Sequence, residues 1–229
     1  MKVALLQHTP DPELTVALAA RLCYSKVGID ELKQKLTNSD IDSFLDKIMS
    51  LGHQSVLEHA SFTFGIEGIS RVTSHQLVRH RVASYSQQSQ RYVSHKEQFS
   101  VVVPPEIAKN AEMLEMFQEQ MSQLHECYAR MVDGGIPAED ARYLLPNATE
   151  TKIVVTMNAR ELLHFFAVRC CERAQWEIRA MSVEMLRLVR DIAPVIFRSA
   201  GPGCIGGPCP EGKMTCGRAQ EIREKFHNL

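Results

Sequence analysis

The sequence predicts an α+β fold with a central, mainly antiparallel sheet and long flanking helices. Short segments with strand patterning are scattered among helical segments of very different length. They do not show the regular alternation of strand and helix that a doubly wound parallel sheet requires. No internal repeat, low-complexity tract or linker divides the chain, so residues 1–229 are predicted to form a single domain.

The strand predictions rest on apolar runs and on period-two alternation. Phe62, Phe64 and Ile66 alternate with small or polar residues, which is typical of a strand with one buried face. The other candidates are short runs rich in apolar or β-branched residues. The predicted strands therefore cover 2–6, the segment around 62–66, 101–103 and 151–157.

The helix predictions rest on apolar stripes and on end signals. Asn158 followed by Glu161 has the form of a capping box, with Asn in place of Ser or Thr, and it opens a helical stretch. Residues 200–229 are rich in Gly, Pro and Cys, and 201–217 are expected to be irregular. Helices are predicted over 13–24, 42–51, 106–132 and 138–145, and from 158 to 193 with a break.

Composition excludes several classes of protein. The 26 Lys and Arg residues and 27 Asp and Glu residues leave a net charge of −1, which argues against a dedicated non-specific nucleic-acid binder. The 45% hydrophobic and 23% charged residues exclude a disordered chain. No apolar run approaches the ~18–20 residues of a membrane span, and no secretion signal is apparent. The seven cysteines are therefore expected to be reduced in the cytoplasm.

Three features of the C-terminal tail imitate known motifs. Residues 201–206 fit G-x-G-x-x-G but follow a predicted helix instead of a strand, and 207–213 resemble a P-loop without its Ser or Thr. Cys204, Cys209 and Cys216 are a weak zinc candidate, because a fourth ligand and the usual close pair of cysteines are missing. We therefore predict no metal.

Residues 70–92 carry most of the functional signal. This segment holds four arginines and two histidines, and no Asp or Glu occurs between Glu67 and Glu97. Serine and glutamine side chains surround the arginines, so the segment offers forked donors for phosphate together with amides that read a base edge. The alternative is a solvated basic surface, although such surfaces more often mix both signs of charge.

A second basic band lies farther along the chain. Arg142 precedes a Leu-Leu-Pro sequence, and Arg169 and Arg173 are four residues apart on one helical face. Two separate arginine clusters suit a ligand with several phosphates or carboxylates, whereas ordinary ion pairing with nearby glutamates is the alternative. No signature of a protein nucleophile is present, so a cofactor is expected to supply the hard chemistry.

These segments together resemble the flavin-dependent thymidylate synthases, the thymidylate synthase complementing protein family. The signature of the match is Arg79-His80-Arg81, a spacer, Ser89 and Gln90-Arg91-Tyr92. Matching segments occur in the same order from about residue 15 to 195. The further matching segments are His53 to His59, Phe62 to Phe64, Ala141 to Pro146, Asn158 to Arg160, and Arg169 with Ala174 to Glu177.

The resemblance implies a homotetramer with active sites shared between subunits, bound FAD, and NADPH as the reductant. The implied reaction methylates dUMP to dTMP with methylenetetrahydrofolate as the carbon donor, without nucleic-acid or membrane partners. Arg169 is the implied catalytic residue, with Ser89 positioning the substrate. The implied FAD contacts are Ser55, Glu58, Arg79, His80, Arg81, Val82, Ser86, Gln87, Asn158, Arg160, His164 and Val168. The implied dUMP pocket consists of Gln76, Arg79, Gln87, Gln88, Ser89, Gln90, Arg91, Arg142 and Arg169.

The chain departs from the family pattern at a few positions. Ser86 and Gln87 stand where many members carry Asn-Glu, so an amide replaces a carboxylate near the pyrimidine. Arg173 stands where other members have histidine.

Two other functions remain open from sequence: a single-stranded nucleic-acid binding protein that uses Arg71 to Arg91, and a zinc-stabilised interaction module built on the tail cysteines.

Overall fold

A computed structural model of the chain describes residues 1–36, 38–96 and 99–229. Within these residues the strands form one four-stranded antiparallel sheet in the order β1-β2-β4-β3, which confirms the α+β class. The strands are β1 (Lys2–His8), β2 (Ser61–Ser70), β3 (Ala83–Gln87) and β4 (Glu150–Asn158).

The register follows from pairs of side chains on neighbouring strands. Thr63 and Thr156 share a hydrogen bond of 2.8 Å between their hydroxyls. On β2 the predicted alternation is confirmed, because Phe62, Phe64 and Ile66 are buried while the residues between them are partly exposed. Burying alternate apolar side chains on one face sets the register, since a slip of one residue would expose all of them.

Eleven helices are present among the described residues. Their bounds are α1 (Pro12–Leu22), α2 (Ile29–Lys35), α3 (Asn38–Ser50), α4 (Arg71–Leu77), α5 (Pro105–Ala108), α6 (Ala111–Asp133), α7 (Ala138–Ala141), α8 (Ala159–Arg169), α9 (Trp176–Ile192), α10 (Pro194–Phe197) and α11 (Ala219–His227). Short 3₁₀ turns cover Gln54–His59, Arg142–Leu144 and Gly212–Met214. No helix of the described residues has the length and apolar character needed to cross a bilayer.

Two predicted elements differ from the structure. Residues 101–103 do not form a strand, because only Val101 forms an isolated bridge, with Thr149. The long helix predicted over 106–132 is two helices, since Asn110 adopts an extended backbone and its side chain accepts from the Met113 N–H at 3.2 Å. An asparagine that caps a new helix ends the previous one, and the apolar stripe alone does not reveal this.

The C-terminal tail carries a helix that the sequence did not predict, α11, just after the segment 201–217 that was expected to be irregular. Ile222 and Phe226 are buried on its inner face. Arg190 of α9 fastens the tail by donating to the carbonyl oxygens of Phe197 and Phe226 at 3.1 and 2.8 Å. A single guanidinium thus satisfies carbonyl groups of two segments, which gives this Gly-rich region a defined path.

The contacts divide the chain into two compact units, each with its own apolar core. The core of the first unit contains Ile66, Ile69, Leu77 and Tyr128. In the second unit, Phe197 contacts Phe62 and Phe166 edge to face, with ring centres 5.5 and 6.1 Å apart. Unit 1 comprises 1–2, 66–79 and 85–154, and unit 2 comprises 3–65, 80–84 and 155–229. The assignment of the whole chain to one domain stays a prediction.

Candidate functional site

A hollow of about 560 Å³ opens on unit 2, and its volume lies in the range of small-molecule sites. Its lining combines charged, polar and apolar side chains, which suits a ligand with both an ionic and a flat apolar part. We call it the α8 hollow; it is lined by Gln54, Glu58, Val82, Asn158, Arg160, Glu161, Leu163, His164 and Ala167. Five of these, Glu58, Val82, Asn158, Arg160 and His164, are among the FAD contacts implied by the resemblance.

Helix α8 positions most of these side chains. Strand β4 ends at Asn158, whose side-chain oxygen accepts from the Glu161 N–H at 2.9 Å and so begins the helix. The spacing of Arg160, His164 and Ala167 places them on one face of α8, toward the hollow. The helix start predicted from Asn158 and Glu161 is therefore confirmed, and it is this start that sets which face lines the hollow.

A buried chain of hydrogen bonds lies beside the hollow. His80 Nδ1 is 3.2 Å from Glu161 Oε1, and Arg169 Nε donates to His80 Nε2 at 3.0 Å. His80 and Glu161 are only 7% and 9% exposed, and the ring of Phe165 packs edge-on against His80 with centres 4.9 Å apart. We call these three residues the Glu161–His80–Arg169 chain.

The surroundings shift the ionisation of this chain. Burial, with smaller contributions from Arg169 and His164, lowers the pKa of His80 to about 4. Burial also raises the pKa of the Glu161 carboxyl, while His164 opposes that shift. His80 is therefore neutral at neutral pH, so its Nε2 can accept from the arginine.

An ion pair stands at the rim of the same hollow. Arg160 Nη1 lies 2.5 Å from Glu58 Oε1, and both side chains are about half exposed. Glu58 belongs to the 3₁₀ turn of residues 54–59, so the pair joins that turn to the start of α8. In water such a pair contributes little to stability.

Other implied FAD contacts lie outside the lining of the α8 hollow. Ser55, Arg81 and Val168 belong to unit 2 and are exposed on its surface. His80 also belongs to unit 2, where it is buried, whereas Arg79, Ser86 and Gln87 belong to unit 1, together with the implied dUMP pocket other than Arg169.

In unit 1, strand β3 positions the glutamine-rich part of the motif. Gln87 donates from its amide to the Thr151 hydroxyl at 3.1 Å, and the Gln88 N–H donates to the Lys152 carbonyl at 2.9 Å. Ser89 Oγ accepts from the Arg91 N–H at 3.1 Å, which suits a positioning role. Gln76 and Gln90 are half-buried, whereas Arg79 is exposed. The Gln87 side-chain amide is thus tied to β4.

Three arginines of unit 1 are linked to one another through Glu139 and through mutual proximity. Arg91 Nε lies 2.6 Å from Glu139 Oε2, and Arg142 Nε donates to the Glu139 carbonyl at 3.0 Å. Burial and the nearby Arg142 lower the pKa of Arg71. We call Arg71, Arg91 and Arg142 the arginine cluster. Arginines that lie far apart in sequence thus come near one another, while the Glu139 carboxylate contacts Arg91 alone among the three.

Sequence reasoning passed over several residues that the structure places at these sites. Glu161 was considered for capping and ion pairing alone, although its carboxylate is turned toward His80. Gln54, Leu163 and Ala167 line the α8 hollow, and Glu139 contacts Arg91 and Arg142 of the arginine cluster. For Leu163 and Ala167 the signal was available, because they lie one and two helical turns after Arg160. Gln54 lies inside the matching segment His53 to His59, whereas no local signal points to Glu139.

The three tail motifs acquire no binding role in the structure. Residues 201–206 form turns after α10 and do not open a helix. Cys204 is buried, while Cys209 and Cys216 are partly exposed. Over the described ranges, no group of three or more His, Cys, Asp or Glu side chains is placed to hold a metal ion. The structure thus does not support the zinc candidate.

Comparison with known proteins gives consistent matches over the whole chain. The family profile described as thymidylate synthase complementing protein matches residues 4–195. A flavin-dependent thymidylate synthase of Geobacter sulfurreducens is 67% identical, with 100% of this chain and 99% of the relative covered. Enzymes of the same name from Clostridium tetani and Pyrococcus horikoshii are 49% and 45% identical; coverage is 99% and 100% of this chain and 97% and 98% of the relatives.

Proposed function

The chain belongs to the thymidylate synthase complementing protein family, and from this premise we propose that the α8 hollow holds FAD and that the arginine cluster holds dUMP. Its activity is flavin-dependent thymidylate synthesis, the methylation of dUMP to dTMP. Methylenetetrahydrofolate provides the carbon, NADPH-reduced FAD provides the hydride, and tetrahydrofolate is released. The observation that carries the activity is the end-to-end similarity to relatives of that name. It selects the enzyme over the nucleic-acid-binding and zinc-module alternatives.

The donor set of the α8 hollow fits FAD. Arg160 offers N–H donors and positive charge to a pyrophosphate, and the His164 ring and the Asn158 amide add polar contacts. Val82 and Leu163 provide apolar surface for a flat ring system. The volume of about 560 Å³ on one chain accommodates a large part of such a cofactor.

The arginine cluster and the polar residues of unit 1 fit a pyrimidine monophosphate. Arg142 and Arg91 provide forked donors for the phosphate, and the amides of Gln87 and Gln88 can read the uracil edge. Ser89 positions the substrate through its hydroxyl. We assign the other implied residues of this pocket, Gln76, Arg79 and Gln90, on the resemblance, together with Ser86 as a flavin contact.

Arg169 is the residue to which we assign the catalytic role. Uracil carbon 5 is a weak nucleophile until electron density moves toward it, and the pyrimidine carbonyls take up negative charge as this happens. A guanidinium fixed near those carbonyls stabilises that charge, and one such preorganised donor contributes ~3 kcal/mol. The hydrogen bond to His80 restrains the orientation of Arg169.

We further propose a homotetramer in which contacts to one ligand come from different chains. Exposed contacts such as Ser55, Arg81 and Val168 support this, because they carry implied ligand roles and lie outside the α8 hollow of their own chain. Light scattering of the purified protein tests the assembly.

Residues 1–229 are proposed as one enzyme domain with a tail at 200–229. A cytoplasmic location stays a prediction.

The activity is tested by anaerobic incubation of the purified protein with dUMP, methylenetetrahydrofolate, NADPH and FAD. We expect dTMP and tetrahydrofolate in equal amounts, with a flavin absorption spectrum on the isolated protein. Dihydrofolate in place of tetrahydrofolate would contradict the hydride source. A colourless protein that fails to take up added FAD would contradict the cofactor assignment.

A further inference from the structure

We propose that Glu161 is a positioning residue that holds the Arg169 guanidinium through His80. The inference rests on the proposed function, because it concerns how Arg169 is presented to the pyrimidine. Glu161 itself is separated from Arg169 by the His80 ring, to which both are hydrogen-bonded. Its effect on the reaction therefore passes through the imidazole.

The directions of the two hydrogen bonds determine where the proton of His80 lies. Arg169 Nε–H can only donate, so His80 Nε2, 3.0 Å away, must accept. The proton of the neutral ring is then on Nδ1, which donates to Glu161 Oε1 at 3.2 Å. A carboxylate at this position accepts from Nδ1–H and so selects one tautomer and one orientation of the ring.

The local fold holds Glu161 in place for this task. Asn158 accepts from the Glu161 N–H at 2.9 Å, which fixes its backbone at the start of α8. A glutamate three residues after an N-cap commonly bonds back to the N-cap N–H. Here the carboxylate contacts His80 instead, at a site where the two residues are only 7% and 9% exposed. Burying an ionisable group costs free energy unless the group has a hydrogen-bonding partner. The buried Glu161 carboxylate is therefore held against His80.

The consequence for Arg169 is a restrained guanidinium plane. The bond from Nε to His80 acts on the atom nearest the aliphatic stem and limits rotation of the whole fork. A fork that must meet a pyrimidine carbonyl in the transition state gains from this restraint, since small misplacements of a reacting group reduce rates strongly. Loss of Glu161 lets His80 adopt its other tautomer, in which Nε2–H opposes the Arg169 donor.

The test compares Glu161→Gln with a matched control, Glu172→Gln, in the FAD-loaded enzyme. Glutamine keeps the volume and the capped N–H, but its amide can accept from or donate to Nδ1 and so selects no tautomer. We expect a fall in kcat of ~10- to 100-fold with unchanged FAD content and a KM for dUMP within about threefold. Glu172 pairs with Arg179 and Arg218 away from the α8 hollow, so its variant should keep kcat.

A double-mutant cycle asks whether the effect passes through Arg169. In an Arg169→Lys background, Glu161→Gln should change kcat less than about twofold, because the Nε–H donor is already absent. An equal loss of kcat in both backgrounds, or a Glu161→Gln variant with normal kcat, overturns the proposal. If Arg169→Lys itself has normal kcat, the role proposed for Arg169 fails instead.

A spectroscopic readout does not depend on turnover. Nitrogen-15 NMR of histidine-labelled protein, with His80 assigned by its absence in His80→Gln, should show the Nδ1–H tautomer at neutral pH. In Glu161→Gln the signal should move toward the Nε2–H tautomer. An Nε2–H tautomer in the unsubstituted protein, or an unchanged tautomer in Glu161→Gln, overturns the proposal even if dTMP synthesis is normal.

Discussion

The Glu161–His80–Arg169 chain of unit 2 and the arginine cluster of unit 1 differ in how their guanidinium groups are compensated. In the first, a buried carboxylate, a neutral imidazole and a guanidinium are joined in one line of hydrogen bonds. In the second, Arg71 and Arg142 lie near each other, and one carboxylate, Glu139, contacts Arg91. The first region is prepared to orient a group, whereas the second has an excess of positive charge that an anionic ligand would neutralise.

This contrast fits the division of labour proposed for the enzyme. A catalytic guanidinium benefits from a fixed direction, because its contribution depends on meeting charge that develops in one place. A phosphate-binding region benefits from unsatisfied positive charge, because the ligand supplies the compensation. Four changes, taken from the largest expected effect to the smallest, test the comparison.

Arg169→Ala should have the largest effect. Removing the guanidinium should lower kcat by ~100- to 1,000-fold or more, because one preorganised donor to the developing charge is lost. The flavin spectrum of the isolated protein should be unchanged. Arg187→Ala is a matched control, since Arg187 pairs with Glu184 on the surface of α9 and should keep activity. Near-normal turnover in Arg169→Ala would show that the Glu161–His80–Arg169 chain does not serve catalysis.

Acidification should weaken the fold through His80. Its pKa of about 4 in the folded chain lies below the ordinary value of 6.5, so the unfolded chain binds this proton first as the pH falls. The free energy of unfolding should therefore decrease between about pH 6.5 and pH 4, by up to ~3 kcal/mol from this group. The raised pKa of Glu161 acts in the opposite sense and reduces the net slope.

Urea unfolding at several pH values measures this slope. His80→Gln should flatten it, whereas substitution of the exposed His227 in α11 should not. If the slopes of His80→Gln and the unsubstituted protein agree, the neutral state of His80 is not maintained by its surroundings.

Arg142→Gln should separate ligand affinity from stability. The dissociation constant for dUMP should rise ~10-fold, because a charged donor to the phosphate is removed. The ligand-free protein should keep its melting temperature or gain slightly, since Arg71 loses a like-charged neighbour. Calorimetric titration with dUMP and thermal melting without it test both parts. A variant that loses stability and keeps its dUMP affinity would mean that the cluster is structural.

Glu58→Gln should have the smallest effect on the fold. Its partner Arg160 is half exposed, and pairs of this kind contribute ~0–1 kcal/mol. Thermal melting of the cofactor-free protein should therefore change very little. A large fall in melting temperature would contradict this expectation. It would show that solvent exposure does not make the Glu58–Arg160 pair weaker than the buried Glu161–His80 pair.

Much of the local structure was predictable from sequence. The alternation of Phe62, Phe64 and Ile66 identified β2 and its buried face, and Asn158 identified the start of α8. Both signals are local, because strand and helix periodicity and capping act over a few residues. The break at Asn110 and the helix α11 were missed, since a continuing apolar stripe hid the first and a Gly-rich neighbourhood hid the second.

The candidate site was predictable in its residue types and only partly in its arrangement. The resemblance placed Glu58, Val82, Asn158, Arg160 and His164 at the flavin, and these line the α8 hollow. Glu161 stood in the same sequence segment but was interpreted as a capping residue. Its partner His80 lies 81 positions earlier, so no local pattern indicated the contact.

The order of apolar and polar residues was sufficient to indicate an α+β chain, the bounds of several elements and an arginine-rich function. Those features depend on periodicities and propensities that operate between near neighbours. The partner of each charge, and hence its ionisation, arose from folding. Glu161 meets His80 and Arg142 approaches Arg71 because packing joins distant segments, and burial then lowers the pKa of His80 and raises that of Glu161 by removing water from the charged forms.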